Sequence, residues 1–431
     1  MAKVKIQPGA LAGTVNVPSS KSMGHREIIC AALAQGISII DNISMSADIE
    51  ATLRCLNALG VKSELTASKF KGRSAVKIYG TGTVKATGAV CDCGESGSTL
   101  RFLLPLGALC GAPVTFCGAG RLGERPLKPY YDIFDEQGVK YSPSQGLPVT
   151  VEGRLKSGIF KLPGNVSSQF VSGLLFALPL LEGDSEIIIT TPLESQSYID
   201  LTLAALAKYG IKVVNNNYRS FAVAGGQHYQ SSNADVEGDW SQAAFWLAAG
   251  CLNGSIICEG TDVNSLQGDR VVKDILTAMG GSITQENNGL KAVKSTLHGT
   301  VIDAADCPDI IPVLTVAAAV ADGTTTIINA GRLRIKECDR LHAIASELNK
   351  LGADVEEKET SLVVNGRPQG LRGGCVSAWN DHRISMSMAV ASLVCSEPVI
   401  IEGSESVKKS YPTFWQDFTM LGGRLEQGEN L

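Results

Sequence analysis

Apolar positions recur along the chain in short runs at helical spacing, and each run ends on a glycine followed by a β-like segment. In one run Leu341, Ile344, Leu348 and Leu351 follow the i, i+3, i+7, i+10 pattern of a single helix face. Gly352 comes next, where a glycine is expected because the end of a helix commonly needs a positive φ. The pattern predicts an amphipathic helix with a glycine cap.

This glycine-capped run occurs six times. The capping glycines are Gly60, Gly138, Gly210, Gly280, Gly352 and Gly422, and successive members lie 78, 72, 70, 72 and 70 residues apart. A second set of helices opens on small, polar or charged residues and then turns apolar. Its openings are Ser20-Lys21-Ser22, Ser96-Gly97-Ser98, Ser167-Ser168-Gln169, Asp239-Trp240-Ser241, Pro308-Asp309 and Asp381-His382-Arg383. Short β-rich runs lie between the helices, among them Ser185 to Thr191 and Thr324 to Asn329, so each repeat predicts the order βαβαββ.

Six repeats are too many for one hydrophobic core, so we expect an α/β fold of two similar domains with three βαβαββ repeats each. The N-terminal strand, Val4 to Ile6, precedes the first complete repeat and is expected to complete a sheet of the C-terminal half. We therefore predict a discontinuous domain of residues 1–19 and 236–431 and an inserted domain of residues 20–235. A plain solenoid is the alternative, although solenoids seldom place charged residues at every equivalent helix start.

Composition narrows the class of protein. The 431 residues carry a formal net charge of −5, which disfavours a nucleic-acid binder. The 12 cysteines lie scattered in apolar contexts behind no visible secretion signal, which predicts reduced core thiols in a cytoplasmic chain. The longest apolar stretches, Phe170 to Leu181 and Pro312 to Ala321, are too short to cross a bilayer. We expect a globular cytoplasmic protein.

The polar helix openings are candidate anion sites, because free backbone N–H groups and the helix dipole both favour negative charge there. Ser, Asp and Gly at these positions are also ordinary N-caps. Basic residues gather at or near the same positions, however, and these are Lys21, Arg26, Arg125, Lys336, Arg340, Arg383 and Lys409. An acidic chain that collects lysine and arginine in this way is expected to bind a compact polyanion.

Structural ion pairing is the alternative role for these cations. It is a serious one for Lys336 and Arg340, because Glu337 and Asp339 lie beside them. Lys336 and Arg340 are one turn apart, which predicts that both face one side of a helix.

No Walker A, Gly-x-Gly-x-x-Gly or His-x-x-x-His pattern occurs near these positions, so we expect neither a metal ion nor a metal-held nucleotide. Cys91-Asp92-Cys93 is a weak zinc candidate, because no second thiol pair matches it. Buried thiols are the better interpretation of that segment.

Seven short motifs follow one another along the chain: Pro18 to Arg26, Gly94 to Arg101, Gly123 to Pro126, Val166 to Phe170, Ser195 to Asp200, Lys336 to Arg340 and Asn380 to Arg383. Together they resemble the 5-enolpyruvylshikimate-3-phosphate synthase (3-phosphoshikimate 1-carboxyvinyltransferase) family. Each motif is short, but their order and spacing are specific and cover essentially the whole chain. The resemblance implies two similar domains of three βαβαββ repeats, with helix N-termini facing an interdomain cleft.

The family transfers the enolpyruvyl group of phosphoenolpyruvate to the 5-hydroxyl of shikimate 3-phosphate and releases phosphate. The reaction is an addition and elimination through a tetrahedral intermediate, and it belongs to the shikimate pathway of chorismate and aromatic amino-acid biosynthesis. The resemblance therefore implies no cofactor and two small-molecule substrates as partners, without nucleic acid or membrane. A monomer is expected.

The resemblance also implies roles for individual residues. Those expected to contact shikimate 3-phosphate are Lys21, Ser22, Arg26, Ser167, Ser168, Gln169, Ser195, Asp309 and Lys336. Those expected to hold phosphoenolpyruvate are Lys21, Gly97, Arg125, Gln169, Arg340, His382, Arg383 and Lys409. Asp309 would be the base at the 5-hydroxyl, Glu337 the acid that protonates the methylene carbon, and Lys21 a third catalytic residue.

Four positions deserve comparison with the common family pattern. His25 and Glu95 stand where the family frequently has asparagine, and Arg332 stands where an asparagine often contacts the shikimate phosphate. Gly97 leaves room beside phosphoenolpyruvate. Because alanine at that position is associated with tolerance to the inhibitor glyphosate, this chain is expected to be sensitive.

The nearest alternative is a UDP-N-acetylglucosamine enolpyruvyl transferase, which shares the fold and the donor. That family usually carries Lys-Asn where this chain has Lys21-Ser22, and a cysteine on the loop that corresponds to Gly118 to Pro126. The loop has no cysteine here, although Cys117 is adjacent. A non-enzymatic repeat scaffold is a remoter alternative, since it would not explain acid and base residues placed among the basic ones.

Overall fold

The computed structural model describes residues 2–85, 88–143, 145–286 and 289–428. Its strands are β1 (Lys3–Gln7), β2 (Leu11–Asn16), β3 (Gln35–Ile43), β4 (Lys62–Ala67), β5 (Ser74–Thr81), β6 (Ala89–Asp92), β7 (Val114–Cys117), β8 (Lys140–Ser142), β9 (Val149–Glu152), β10 (Ile159–Leu162), β11 (Ser185–Ile189), β12 (Val213–Asn216), β13 (Ser220–Val223), β14 (Ala234–Asp235), β15 (Gly254–Glu259), β16 (Ser282–Glu286), β17 (Gly289–Val293), β18 (Val301–Asp303), β19 (Thr324–Ile328), β20 (Val355–Glu357), β21 (Leu362–Asn365), β22 (Gly374–Ser377), β23 (Val399–Glu402) and β24 (Arg424–Gly428). Its α-helices are α1 (Lys21–Leu33), α2 (Ala47–Ala58), α3 (Gly97–Gly107), α4 (Lys128–Gln137), α5 (Ser168–Ala177), α6 (Gln196–Lys208), α7 (Trp240–Asn253), α8 (Val272–Ala278), α9 (Ile311–Ala319), α10 (Arg340–Lys350), α11 (His382–Ala391) and α12 (Phe414–Met420).

The described strands form six four-stranded sheets of mixed direction. In the sheet β6-β7-β9-β8, β6 runs parallel to β7, and the pairs β7–β9 and β9–β8 are antiparallel. Helix α3 connects β6 to β7, and α4 connects β7 to β8. The sheets β10-β11-β13-β12 and β18-β19-β21-β20 repeat this plan. The predicted βαβαββ fold class is therefore confirmed.

The other three sheets are completed by strands distant in sequence. Strand β1 lies between β23 and β24 and is antiparallel to both, so the N-terminal strand does complete a sheet of the C-terminal half. Strand β2 runs parallel to β15, and β14 runs parallel to β3. The chain thus starts in one group of sheets, builds the other, and returns.

The chain divides into two compact units. The discontinuous unit comprises Met1–Pro18 and Glu237–Leu431, and the inserted unit comprises Ser19–Val236. Each unit has its own hydrophobic core. In the discontinuous unit α7, α9 and α11 pack on one another, and every residue of α9 and α11 is buried. Their N-terminal residues therefore have fixed positions.

The predicted glycine caps are confirmed at all six positions. The φ angles of these glycines lie between +69° at Gly138 and +98° at Gly280. At the end of α4, Gly138 is left-handed, and the N–H of Val139 donates to the carbonyl of Phe134 at 2.9 Å. A glycine satisfies this geometry because it has no Cβ to meet the following carbonyl.

Five of the six predicted helix openings are confirmed, since α1, α3, α5, α7 and α11 begin at the expected residues. The sixth prediction is wrong by two residues. Residues 308–310 form a turn, and α9 begins at Ile311 with Pro312 in its first turn. Proline lacks an N–H group, so it suits the first turn, where no helical hydrogen bond is lost. Asp309 consequently lies on the turn before the helix.

The twelve cysteines all lie within the described residues and form no disulfide, and nine of them are buried. Cys91 and Cys93 are both fully buried. Among the described residues no helix is long and apolar enough to span a membrane.

Replacing Gly138 by alanine should lower the free energy of unfolding by about 1–2 kcal/mol, the cost of a left-handed conformation for an L-residue. No atom lies within 4 Å of the position that the new Cβ would take, so backbone strain is the whole effect. Urea denaturation measures the change. Gly9→Ala is the matched control, because its φ is outside the left-handed region and its Cβ would meet only Arg424 Nη2 at 3.7 Å. Equal losses in both variants would contradict the strain argument.

Candidate active site

A buried guanidinium organises the charged residues of the discontinuous unit. Arg340, the first residue of α10, is only 1% exposed. Its Nη1 donates to Asp309 Oδ1 at 2.8 Å, its Nη2 to Glu337 Oε2 at 2.7 Å, and its Nε to Asp381 Oδ2 at 2.7 Å. Two further cations reach Asp309, with Lys336 Nζ 3.2 Å from Oδ1 and an Arg383 Nη2 3.8 Å from Oδ2. We call these six residues the Asp309 cluster.

The prediction that Lys336 and Arg340 share one side of a helix is wrong. Lys336 is extended, with φ −87° and ψ −155°, and follows the 3-10 helix Gly331–Ile335. Helix α10 starts only at Arg340, because the carboxylate of Asp339 caps it by accepting from the N–H of His342 at 3.0 Å. The two cations still converge, since both bind Asp309.

The ion-pair alternative is correct for these two cations, although their partner is not Asp339. That carboxylate pairs with Arg334 at 2.8 Å instead. Within the Asp309 cluster three cations face three carboxylates, so its formal charges balance.

Asp309 is held in its ionised form. Burial alone would raise the pKa of its carboxyl, but the charges of Lys336, Arg340 and Arg383 outweigh burial and hold the pKa well below its usual range. Asp269 shows the opposite shift, because burial and the nearby charge of Asp309 raise its pKa to about 7. The hydroxyl of Ser241 donates to Asp269.

The pKa of Lys336 is lowered from its usual value. Burial lowers the pKa of its ammonium group, and the neighbouring charges of Arg340 and Arg332 lower it further, against the attraction of Asp309. The charge of Arg332, whose position departs from the common family pattern, therefore acts on the ammonium group of Lys336.

The start of α11 brings two more predicted residues, His382 and Lys409, near this cluster. Asp381 caps the helix by accepting from the N–H of Arg383 at 2.8 Å, and the Nη1 of Arg383 donates to the carbonyl of Ser241 at 3.0 Å. His382 is buried, with Nδ1 3.8 Å from Asp381 Oδ1. Lys409 donates to the carbonyl of Asn380 at 2.5 Å.

The inserted unit brings three predicted residues, Gly97, Arg125 and Gln169, together near the start of α3. Arg101, which was not predicted, lies among them, and we call these four residues the Gly97 cluster. A Cβ on Gly97 would collide with Nη1 of Arg125 and lie 3.7 Å from Oε1 of Gln169. Arg101 donates to that Oε1 at 2.8 Å, and Gln169 Nε2 donates to the hydroxyl of Ser98 at 2.9 Å. Glycine at position 97 leaves room for the Arg125 guanidinium, and a side chain there would require that group to shift.

Two cations of α1 have partners that the sequence did not indicate. Lys21 Nζ lies 2.7 Å from Asp48 Oδ2. Arg26 is buried, donating to Thr202 Oγ1 at 2.8 Å, to the carbonyl of Ser22 at 2.7 Å and to that of Tyr198 at 2.8 Å. Burial lowers the pKa of Arg26 to about 10. Arg26 thus ties α1 to α6.

A chain of hydroxyl groups connects α1 to the start of α3. His25 Nδ1 is hydrogen-bonded to Thr52 Oγ1 at 2.8 Å, which lies 2.7 Å from Thr99 Oγ1. Thr99 in turn donates to Ser96, the N-cap of α3, at 2.7 Å. Burial, followed by the charges of Lys21 and Arg26, lowers the pKa of His25 well below its usual value. A neutral imidazole in α1 is therefore hydrogen-bonded, through these hydroxyl groups, to the N-cap of α3.

The remaining predicted residues lie at helix starts of the inserted unit. Ser167 caps α5 by accepting from the N–H of Gln169 at 3.3 Å, and Ser168 is the buried first residue of that helix. Ser195 precedes α6 in a left-handed conformation with φ 56°. Among the described residues, no group of three or more His, Cys, Asp or Glu side chains is placed to hold a metal ion.

These geometries can be set beside known proteins. The family model of EPSP synthase (3-phosphoshikimate 1-carboxyvinyltransferase) matches residues 6–418. The chain belongs to this family.

Curated relatives agree along the whole length. The chain is 51% identical over 428 residues to the 3-phosphoshikimate 1-carboxyvinyltransferase of Clostridium kluyveri, covering 99% of each sequence. It is 52% identical over 430 residues to that of Clostridium perfringens strain SM101, covering 99% of this chain and 100% of the relative. Among solved structures, EPSP synthase from Acinetobacter baumannii superposes with a TM-score of 0.82 at 28% identity, covering 100% of both chains.

Four residues of this EPSP synthase family member that contact the predicted site residues were not predicted from the sequence. Asp381 lies inside a recognised motif and Arg101 ends another, so both could have been found as side chains without an assigned role. Asp48 and Thr202 gave no signal, because each meets its partner only through the packing of α2 or α6 against α1.

Two departures from the family pattern have structural counterparts. His25 supports the hydroxyl chain between α1 and α3. Glu95 contacts Gly120, whose Cβ would collide with the Glu95 carboxylate, in the 3-10 helix Gly120–Glu124 that leads to Arg125. Both residues thus support neighbours of the Gly97 cluster.

The buried His25 should make stability fall in acid. Below pH about 6.5 the unfolded chain binds a proton at this imidazole that the folded chain does not, so the free energy of unfolding falls by about 1.4 kcal/mol per pH unit until the lowered pKa is reached. His25→Asn should remove that slope. Urea denaturation at several pH values between about 5 and about 7.5 measures it. The exposed His228, changed to asparagine, should leave the wild-type slope in place. An unchanged slope in His25→Asn would show that this residue does not cause it.

Proposed function

We propose that Asp309 and Glu337 carry the proton transfers of the 3-phosphoshikimate 1-carboxyvinyltransferase reaction. As a member of the family, the chain transfers the enolpyruvyl group of phosphoenolpyruvate to the 5-hydroxyl of shikimate 3-phosphate and releases phosphate. The observation that carries the assignment is Arg340, which donates to Asp309 at 2.8 Å through Nη1 and to Glu337 at 2.7 Å through Nη2. One rigid guanidinium thus fixes the separation of the two carboxyl groups.

The chemistry needs one acceptor and one donor of protons. In the addition step the oxygen of the 5-hydroxyl bonds to C2 of phosphoenolpyruvate while Asp309 takes the proton of that hydroxyl. Glu337 gives a proton to the methylene carbon. In the elimination step the methyl group returns a proton to Glu337 and the enol ether forms. The carbon–oxygen bond to phosphate breaks, and the departing phosphate takes the bonding electrons and the proton held by Asp309. Each group must therefore change protonation state during the cycle.

The charge balance of the Asp309 cluster suggests how Asp309 gains basicity. In the free protein three cations hold its pKa well below the usual range, so it is ionised but weakly basic. A phosphate brings about −1.5 to −2 charges and competes for the same cations. Anionic substrates that draw Lys336 or Arg383 away would raise the pKa of Asp309 toward the value a general base needs.

The anion-binding assignments follow the family motifs. The inserted unit would supply Lys21, Ser22, Arg26, Ser167, Ser168, Gln169 and Ser195 for shikimate 3-phosphate and Gly97, Arg125 and again Lys21 and Gln169 for phosphoenolpyruvate. The discontinuous unit would supply Asp309 and Lys336 for the former and Arg340, His382, Arg383 and Lys409 for the latter. What supports this division is that several of these residues are the first residues of α-helices, where backbone N–H groups also favour anions; they are Lys21, Gly97, Ser168, Arg340 and His382.

We further propose that Arg332 strengthens the grip on the shikimate phosphate, since its charge acts at Lys336. A monomer in the cytoplasm is the proposed form of the chain. Buried, reduced thiols suit a reducing compartment and support that location.

Asp309→Asn should lower kcat by about 10²- to 10⁴-fold, the contribution of a general base. The amide keeps the shape of the carboxylate and cannot accept the hydroxyl proton. Phosphate release from phosphoenolpyruvate is the measurement, with shikimate 3-phosphate in one reaction and UDP-N-acetylglucosamine in another.

Asp322→Asn is the control, since this carboxylate is exposed in the same unit and should leave the rate unchanged. Release only with shikimate 3-phosphate, lost in Asp309→Asn, supports the proposal. Release only with the nucleotide sugar would overturn the acceptor, and full activity in Asp309→Asn would overturn the base.

Gly97→Ala should raise the KM for phosphoenolpyruvate and weaken inhibition by glyphosate, each by about ten- to a hundredfold, the loss of one charge-assisted hydrogen bond. The reason is that the new Cβ would collide with the Arg125 guanidinium and displace it. Steady-state kinetics with each substrate varied in turn measures the effect. The KM for shikimate 3-phosphate serves as the internal control and should stay unchanged. Glyphosate that fails to compete with phosphoenolpyruvate at micromolar concentration would refute the expected sensitivity.

A further inference from the structure

The turn that leads into α11 has a conformation that its own residues disfavour. Trp379 and Asn380 are consecutive residues with positive φ, 53° and 51°. Asparagine tolerates this region, but a bulky residue such as tryptophan is an outlier there. Such a turn persists only where its surroundings hold it. The contacts that hold this turn bear on the candidate site, because Asp381, His382 and Arg383 follow it directly.

Helix α10 grips both ends of this turn. Near its start, Arg340 binds Asp381 at 2.7 Å. Two turns later, Glu347 accepts the backbone N–H of Ser377 at 2.9 Å and the indole N–H of Trp379 at 2.7 Å. Residues seven apart lie on one helix face, about 10 Å apart along the axis. A cation and a carboxylate on that face thus clamp the segment from position 377 to position 381.

Both carboxylate oxygens of Glu347 accept hydrogen bonds. Its side chain is fully buried, and Lys350 also donates to its two oxygens at 2.8 and 2.9 Å. A buried carboxylate that accepts four hydrogen bonds is costly to disturb, because each donor left without it loses a charged partner. Among the described residues the hydrogen-bond donors to Glu347 are Lys350, Ser377 and Trp379, and none of these is a proposed substrate-binding residue, so its effect on binding is indirect.

The turn contacts two residues that are proposed to bind phosphoenolpyruvate, Lys409 and Arg383. The carbonyl of Asn380 accepts from Lys409 at 2.5 Å, and Asp381 caps α11 through the N–H of Arg383. We infer that Glu347 is a positioning residue: by holding Trp379 and Asn380 in the left-handed turn, it places Lys409 and Arg383 for phosphoenolpyruvate. This inference rests on the proposed role of these two cations.

Steady-state kinetics of Glu347→Gln tests the inference. The amide presents an N–H where the carboxylate accepted one, so the turn should relax toward ordinary φ values. The KM for phosphoenolpyruvate should rise about tenfold, as when an outer partner of a binding group is lost, while the KM for shikimate 3-phosphate stays unchanged. A residue that served stability alone would lower the active fraction, and hence kcat, without separating the two KM values.

Two further variants keep the test decisive. Trp379→Phe keeps an aromatic ring, removes only the indole donor, and should shift the same KM in the same direction even if Glu347→Gln fails to fold. Lys350→Met removes the half-exposed partner of the same carboxylate and leaves the contacts to Ser377 and Trp379. It should lower the melting temperature without moving either KM.

Lys409→Met separates this inference from the proposed function. If it raises the KM for phosphoenolpyruvate while Glu347→Gln and Trp379→Phe do not, the positioning role is wrong and the binding role stands. If Lys409→Met leaves that KM unchanged, the binding role fails and the inference falls with it. An equal rise in Lys350→Met would also overturn the inference, because the shift would then report general loss of stability.

Discussion

The structure of the discontinuous unit depends on one requirement, that a guanidinium taken out of water be surrounded by carboxylates. Arg340 is that group, and Asp309, Glu337 and Asp381 surround it. An unpaired buried charge costs several kcal/mol, about 3–5 when a buried pair is broken. The start of α10, the turn before α9 and the start of α11 therefore have to meet at one point.

That requirement changes how the basic residues of an acidic chain should be understood. Ion pairing and anion binding were alternatives on sequence grounds, yet they are compatible roles for the same side chains. Lys336 and Arg340 are paired internally, which avoids mutual repulsion of the cations in the free protein. Under the proposed function a substrate phosphate would exchange with an internal carboxylate, which would link substrate binding to the basicity of Asp309. The Gly97 cluster differs, since there a neutral amide, Gln169, is oriented by Arg101.

Much of the fold was predictable because its signals are local. A helix end that needs positive φ selects glycine within one or two residues, and this held at all six caps. Polar caps likewise marked five of six helix starts. The failures share a cause: Asp339 caps α10 three residues after Lys336, and Pro312 lies in the first turn of α9. Spacing alone cannot distinguish a continuous helix from a turn that precedes one.

Sequence by itself thus determined the repeat, the order of elements within it, the family motifs and the residue types at the site. Only the tertiary structure decided which charges pair. Arg340 finds Asp309 across 31 residues and Asp381 across 41, Lys21 finds Asp48 across 27, and Gln169 finds Ser98 across 71. The physical reason is range. Caps and helix faces are satisfied by neighbours along the chain, whereas a buried charge takes whichever partner the packing of distant helices brings within about 3 Å.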